Sequence, residues 1–129
     1  IYLMLKDIEE FHKKFDLPRR HGIKNNKDIV DFRIKFLEEE LRELKEGVEK
    51  DDDAKILDSL VDIVYVALGT AYIFDYPFWV AWKEVQDANM KKERKESARS
   101  KFDVTKPEGW KHPDIEQVLK TFKHWSSWS

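Results

Sequence analysis

The stretch Leu57-Asp58-Ser59-Leu60-Val61-Asp62-Ile63-Val64-Tyr65-Val66-Ala67-Leu68-Gly69 decides how this chain is read. It is among the most apolar parts of a highly charged protein, yet it carries two aspartates. A carboxylate buried without a partner is costly, so charges inside such a run are uncommon unless paired or bound to metal. Asp58 and Asp62 are spaced i, i+4, which sets both on one face of a helix. Upstream lies a second acidic cluster, Glu38-Glu39-Glu40-Leu41-Arg42-Glu43. Two facing carboxylate clusters point to a cation site.

Working outward, Asp28 is the expected N-cap of a long helix over Ile29 to Glu49. Val30, Ile34, Leu37, Leu41, Leu44 and Val48 form one continuous apolar stripe along it. Ile29, Phe32 and Phe36 begin a second stripe, which Glu39, Glu40 and Glu43 continue. Glu38 falls elsewhere, with Lys35, Arg42, Lys45 and Glu49 on a salt-bridged solvent face. Gly47 and the acidic run to Asp53 mark the turn into a third helix, Ala54 to Phe74, which that run caps. Gly69 leaves room for a ligand or for a close helix neighbour.

Leu5, Ile8, Phe11 and Phe15 predict a first helix from Leu3 to Phe15, with His12 on its apolar face and read as a core or edge histidine in preference to a substrate contact. Asp16 to Lys27 is a loop whose basic patch, Arg19-Arg20-His21, is read as solvated surface. Pro77 opens a fourth helix to Arg94, with Phe78, Trp82 and Val85 on a buried stripe. Asn89 shares that stripe, and a core-facing asparagine needs partners, as a structural cap or as a site residue. The basic segment from Lys91 to Lys101 is either a frayed helix end or a phosphate-neutralising strip. Phe102 to Pro113 is extended or looped, and Asp114 caps a last helix through Lys123. No strand of consequence is expected. Residues 1–123 are read as a single helical domain and 124–129 as a terminal tail.

Composition bounds the function. A 129-residue chain with 41% hydrophobic and 13% aromatic residues can build a core despite its 39% charged residues. A net charge of −2 argues against nucleic-acid or membrane partners. The lack of cysteine excludes disulfides and thiolate sites and suits a reducing cytoplasm, the expected location; no secretory signal is visible. The uncharged stretch from Ile63 to Phe74 is short for a bilayer. Carboxylates without cysteine or clustered histidine make a hard, oxygen-ligand site for Mg²⁺, or Mn²⁺, rather than Zn²⁺. Mg²⁺ keeps waters and bridges to phosphates, so the natural chemistry is phosphoanhydride hydrolysis, with a metal-free carboxylate taking the water's proton.

The spacing Glu39-Glu40-x-x-Glu43, followed by the acidic motif ending in Asp62, resembles the all-α nucleoside triphosphate pyrophosphohydrolases of the MazG type. The run from Asp58 to Ala71, the triplet Ala88-Asn89-Met90 and the segment Lys106-Pro107-Glu108-Gly109-Trp110 resemble the small single-domain bacterial and phage members. The resemblance runs from about Phe11 to Leu119. It implies an all-α, four-helix-bundle-like MazG fold with a short C-terminal extension, assembled as a homodimer or homotetramer. It also implies cleavage of a (d)NTP between the α and β phosphates to (d)NMP and pyrophosphate. By residue match, Glu39, Glu40 and Glu43 form the first metal cluster and Asp62 belongs to the second. The family's second motif has a glutamate where this chain has Ser59, and Asp58 is expected to substitute as ligand. Glu40 is the expected general base, as the least committed ligand. Asn89 and Lys92 match nucleotide-facing positions, with Arg94 beside them, and Lys106 and Trp110 are expected to close over the nucleotide. Phosphoribosyl-ATP pyrophosphatase is the alternative enzyme, and a helical dimer with a structural cation site is the alternative without catalysis.

Overall fold

The two acidic clusters lie on the two longest helices, α2 (Lys27–Glu49) and α3 (Asp53–Ile73). Only residues 50–52 join them, so they pack as an antiparallel pair. The computed structural model describes residues 1–128 and is all-α, completed by α1 (Tyr2–Lys14), α4 (Phe78–Met90) and α5 (Ile115–Thr121). Asp52 caps α3, its side chain accepting from the Lys55 amide at 3.1 Å, as the acidic run predicts. Asp114 caps α5 in the same way through the Gln117 amide. Asp28, in contrast, lies inside the first turn of α2. A 3-10 turn, Lys24–Asn26, leads into that helix, and the buried Asn26 amide donates to the Arg20 and Gly22 carbonyls, fixing the preceding loop.

The long apolar stripe of α2 is only partly covered within the chain. In the long apolar stripe, Ile34, Leu41 and Val48 are 50%, 46% and 61% exposed. The fully buried residues of α2 are Glu40 and Gly47, in line with half-buried Arg33 at a spacing of seven, and Phe36, Leu37 and Leu44 are half-buried as well. Gly47 lets the helices approach closely: a Cβ there would meet Ile56 and Lys55 side-chain carbons at 3.2 Å. The Arg33 guanidinium donates to the Val66 carbonyl at 2.9 Å and to Thr70 Oγ1 at 3.0 Å. The α2–α3 seam thus sets Arg33, Glu40 and Gly47 of α2 against a mostly apolar stripe of α3, while Ile34, Leu41 and Val48 of α2 and Leu57 and Val61 of α3 stay exposed. By length and composition α3 would suffice for a membrane span, but it packs on α1 and α2 and carries Asp58 and Asp62, as a core helix does.

Gly69 gives its space to protein. A Cβ there would lie 2.6 Å from Arg33 Nη2 and 2.9 Å from His12 Nε2. His12 is a buried core residue whose pKa is pushed down to about 4, first by burial and then by the Arg33 and Arg19 charges. It is therefore neutral near pH 7. Because Arg33 is pinned by two hydrogen bonds, Gly69→Ala is expected to overpack the seam and cost about 1–3 kcal/mol, seen as a lower urea midpoint.

The core joins Leu5 and Ile8 of α1 to Leu68, Ala71 and Tyr72 of α3, and Trp125 closes it. Trp125 is fully buried, edge-to-face on Tyr72 at 5.1 Å. The terminal tail expected outside the domain is thus part of the core, at least through Trp128; Ser129 lies outside the described residues. Trp125→Ala is expected to cost about 3–5 kcal/mol in a denaturant titration, a large share of the stability of a small domain.

Helix α4 ends at Met90, not Arg94, and the basic run after it is no frayed helix end. It enters a short antiparallel ribbon, β1 (Glu93–Arg94) with β2 (Val104–Thr105). The Asp103 carboxylate anchors the ribbon's loop by accepting from Ser97 and from Arg99 at 2.8 Å. Trp82 and Val85 are exposed, and Val80 and Ala88 are the buried residues of α4.

Candidate active site

The register of the α2–α3 pair is set at both ends, by Gly47 against Ile56 and by Arg33 against Val66 and Thr70. Midway between these contacts, Glu40 comes opposite Asp62. The electrostatics agree. Burial first, then the charge of Asp62, then Glu43 through charge and a hydrogen bond, and finally Glu39 push the Glu40 carboxyl above its ordinary value. Glu40 is only 8% exposed, and its Oε2 has no hydrogen-bond partner. Among the described residues none of the four carboxylates forms an ion pair. The nearby cations Arg42 and Lys55 both go to Glu46, at 2.5 and 3.1 Å. What remains is a set of hard oxygen donors with uncompensated charge, the donor chemistry that suits a divalent cation of the Mg²⁺ kind. The carboxylates stay dispersed: among the described residues only His21, Asp75 and His124 bring three ligand atoms within 4.8 Å of one another.

Asp58 does not join the cluster. Its side chain is exposed, and it is not among the charges that raise Glu40. The stripe of α3 facing α2 runs through Ile56, Ser59, Ile63, Val66 and Thr70, and Ser59 on it is 2% exposed. Asp62 lies at the edge of that stripe and is half-buried, whereas Asp58 is turned about 40° further from it and is exposed. The i, i+4 spacing aligns Asp58 with Asp62 on their own helix but not with the seam. Glu38 is exposed, as its angular position predicts.

The expected nucleotide-binding residues fall into a second group. The Lys92 and Lys106 ammonium groups each lie 5.2 Å from the Trp110 ring centre, and Trp110 Nε1 donates to the Ala88 carbonyl at 2.7 Å. A cavity of about 550 Å³ lies between α4 and residues 107–114, with Trp110 in its wall. Arg94 stacks instead on Phe102, at 5.9 Å. Asn89 is exposed, not core-facing, because α4 runs past the core and only Ala88 is buried in its last turn. No hydrogen bond, ion pair or cation–π contact among the described residues joins this group to the carboxylates. Asp62 lies roughly 17 Å back along α3 from the helix end at Ile73.

Two features escaped the sequence reading. Arg33 is one, although its spacing of seven from Glu40 and Gly47 marks a polar line on an otherwise apolar helix. The other is the group His21, Asp75 and His124, whose members are far apart in the chain.

A family model described as phosphoribosyl-ATP pyrophosphohydrolase matches residues 8–89. That family is an all-α nucleotide pyrophosphohydrolase family of the MazG superfamily, acting on phosphoanhydride bonds. The match takes in both acidic clusters and stops before Lys92, Arg94, Lys106 and Trp110. No curated protein matches the chain.

Proposed function

The chain belongs to the phosphoribosyl-ATP pyrophosphohydrolase family, and we propose that it cleaves a nucleoside triphosphate between the α and β phosphates, giving the monophosphate and pyrophosphate. The observation that carries this reading is the uncompensated carboxylate group around Glu40. Glu39, Glu40 and Glu43 of α2 and Asp62 of α3 would hold Mg²⁺, with Mn²⁺ as a substitute. Bound there, the ion would neutralise phosphate oxygens and acidify an attacking water. Glu40 is the general base: its raised carboxyl is a better proton acceptor than an ordinary glutamate, and its Oε2 is uncommitted. Asp58 is left out of the ligand set because it lies off the seam and, unlike Glu39, which is also exposed, is not among the charges that raise the Glu40 carboxyl. Trp110, flanked by Lys92 and Lys106, offers a base-stacking face with cations for phosphate beside it, and Asn89 and Arg94 lie at the same end of α4.

With no hydrogen bond, ion pair or cation–π contact among the described residues joining them inside one chain, the two groups come together as one site in an assembly. Leu57, Leu60, Val61 and Val64 of α3 and Met4 of α1 form an exposed apolar face, and α2 adds Ile34, Leu41 and Val48. A second copy covering such faces, in a homodimer or homotetramer, would bring one chain's Trp110 group toward another's carboxylates.

The family match favours phosphoribosyl-ATP as substrate. The Lys-Pro-Glu-Gly-Trp segment, which resembles the small MazG-like members, favours an unmodified (d)NTP. A panel of each NTP, each dNTP and phosphoribosyl-ATP with Mg²⁺, with products identified by ³¹P NMR, decides between them. Pyrophosphate is the expected product. Release of orthophosphate alone, or no turnover of any panel member with Mg²⁺ or Mn²⁺, rules the reading out.

A further inference from the structure

Three distant parts of the chain meet at His21 in the loop before α2, Asp75 in the α3–α4 turn and His124 in the C-terminal segment. One ligand atom from each lies within 4.8 Å of the others. We propose that His21, Asp75 and His124 bind a divalent cation of the Zn²⁺ class, leaving a fourth position for water. Two imidazoles and one carboxylate are the donors that favour Zn²⁺, Co²⁺ or Ni²⁺ over Mg²⁺.

Asp75 is already held as a ligand would be. Its Oδ1 accepts from the Arg19 guanidinium at 2.5 Å and from the Trp125 amide at 2.9 Å. Its backbone sits at φ +57°, and its Oδ2 is left facing His124 Nδ1 at 2.7 Å. Burial alone would raise this carboxyl, but the hydrogen bonds from His124 and Trp125 and the Arg19 charge outweigh it and hold it below its ordinary value. Arg19 itself is fixed by stacking 4.1 Å over the Tyr72 ring and by donating to the Tyr72 carbonyl. It opposes a cation by charge but orients the carboxylate, as outer partners of metal ligands do.

The cation takes the place of the hydrogen between His124 Nδ1 and Asp75 Oδ2, and the neutral ring then carries its hydrogen on Nε2. On a tetrahedral ion with bonds of about 2.0–2.2 Å, these two atoms stand roughly 3.4 Å apart. His124 is exposed and has room to open by that amount; the His21 ring already lies 5.9 Å from it, centre to centre. The site is separate from the proposed catalytic carboxylates, since Asp75 lies beyond the end of α3 and Asp62 roughly 17 Å before that end. Its role is to clamp the segment that carries Trp125 onto the rest of the fold.

The test is Zn²⁺ alone, titrated calorimetrically into the full chain at neutral pH in an Asp62→Asn background that weakens the carboxylate cluster. One Zn²⁺ per chain is expected, with a higher melting temperature and, for Co²⁺, the visible absorption of a four-coordinate site. His21→Ala and His124→Ala should each weaken binding by about tenfold or more, while His112→Ala should not. The His21 side chain makes no hydrogen bond among the described residues, so its removal leaves the metal-free fold intact. Undiminished Zn²⁺ affinity in the His21→Ala/His124→Ala double variant, or no Zn²⁺ uptake by the parent chain, overturns the proposal.

Discussion

Asp62→Asn is expected to lower pyrophosphate release by about a thousandfold, or about 4 kcal/mol in the barrier, while the helical fold stays in place. The substitution keeps the shape of the side chain and removes one charge. On the proposed reading that charge serves twice. It is the one carboxylate α3 contributes opposite Glu40, so without it a metal is held from one helix only. After burial it is the largest cause that raises the Glu40 carboxyl, so its loss returns Glu40 toward an ordinary, weaker base. Raising Mg²⁺ should recover the first loss but not the second. The measurement is the initial rate across a Mg²⁺ series, with far-ultraviolet circular dichroism as the control for folding. A variant that keeps full activity at ordinary Mg²⁺ would exclude Asp62 and, with it, the site.

Much of this was legible in the sequence, for reasons that separate the successes from the failures. Helical periodicity carries local information, so the four main helices and the difference between exposed Glu38 and the more buried Glu40 and Glu43 follow from residue spacing alone. What periodicity does not carry is the identity of the partner. An apolar stripe says that something covers it, not what. The stripe from Val30 to Val48 names no partner, and within the chain Ile34, Leu41 and Val48 stay exposed while α3 packs along the Arg33–Glu40–Gly47 line. The preference for Asp58 has the same origin, since it follows from the geometry of one helix and ignores the register with its neighbour. Trp125 stands alone among polar residues and has no period to reveal it. Its burial is decided by Tyr72 and Asp75, about fifty positions earlier in the chain. The group of His21, Asp75 and His124 is invisible for the same reason.

Glu40→Gln should separate stability from activity. As the proposed base, Glu40 accounts for about 10²–10⁴ of the rate, and its loss should not be rescued by Mg²⁺. In the metal-free protein the same change should be stabilising at neutral pH. The Glu40 carboxyl is raised in the fold above its ordinary value of 4.5. Between those two values the folded state binds more protons than the unfolded state, so stability falls as pH rises through the window and stays lost above it. His12 acts in the opposite sense. Its pKa falls from 6.5 to about 4 on folding, so its contribution rises with pH between those values, and a single melting curve would mix the two. The difference between variant and parent removes His12, which is common to both. That difference should be small below about pH 4.5, where the carboxyl is neutral in both states, and should grow in favour of glutamine as pH rises. Adding Mg²⁺ should shrink it, because a bound cation offsets the charge that glutamine lacks. A difference that stays flat with pH in the absence of metal would mean that Glu40 is not crowded by Asp62, Glu43 and Glu39, and the carboxylate site would lose its physical basis.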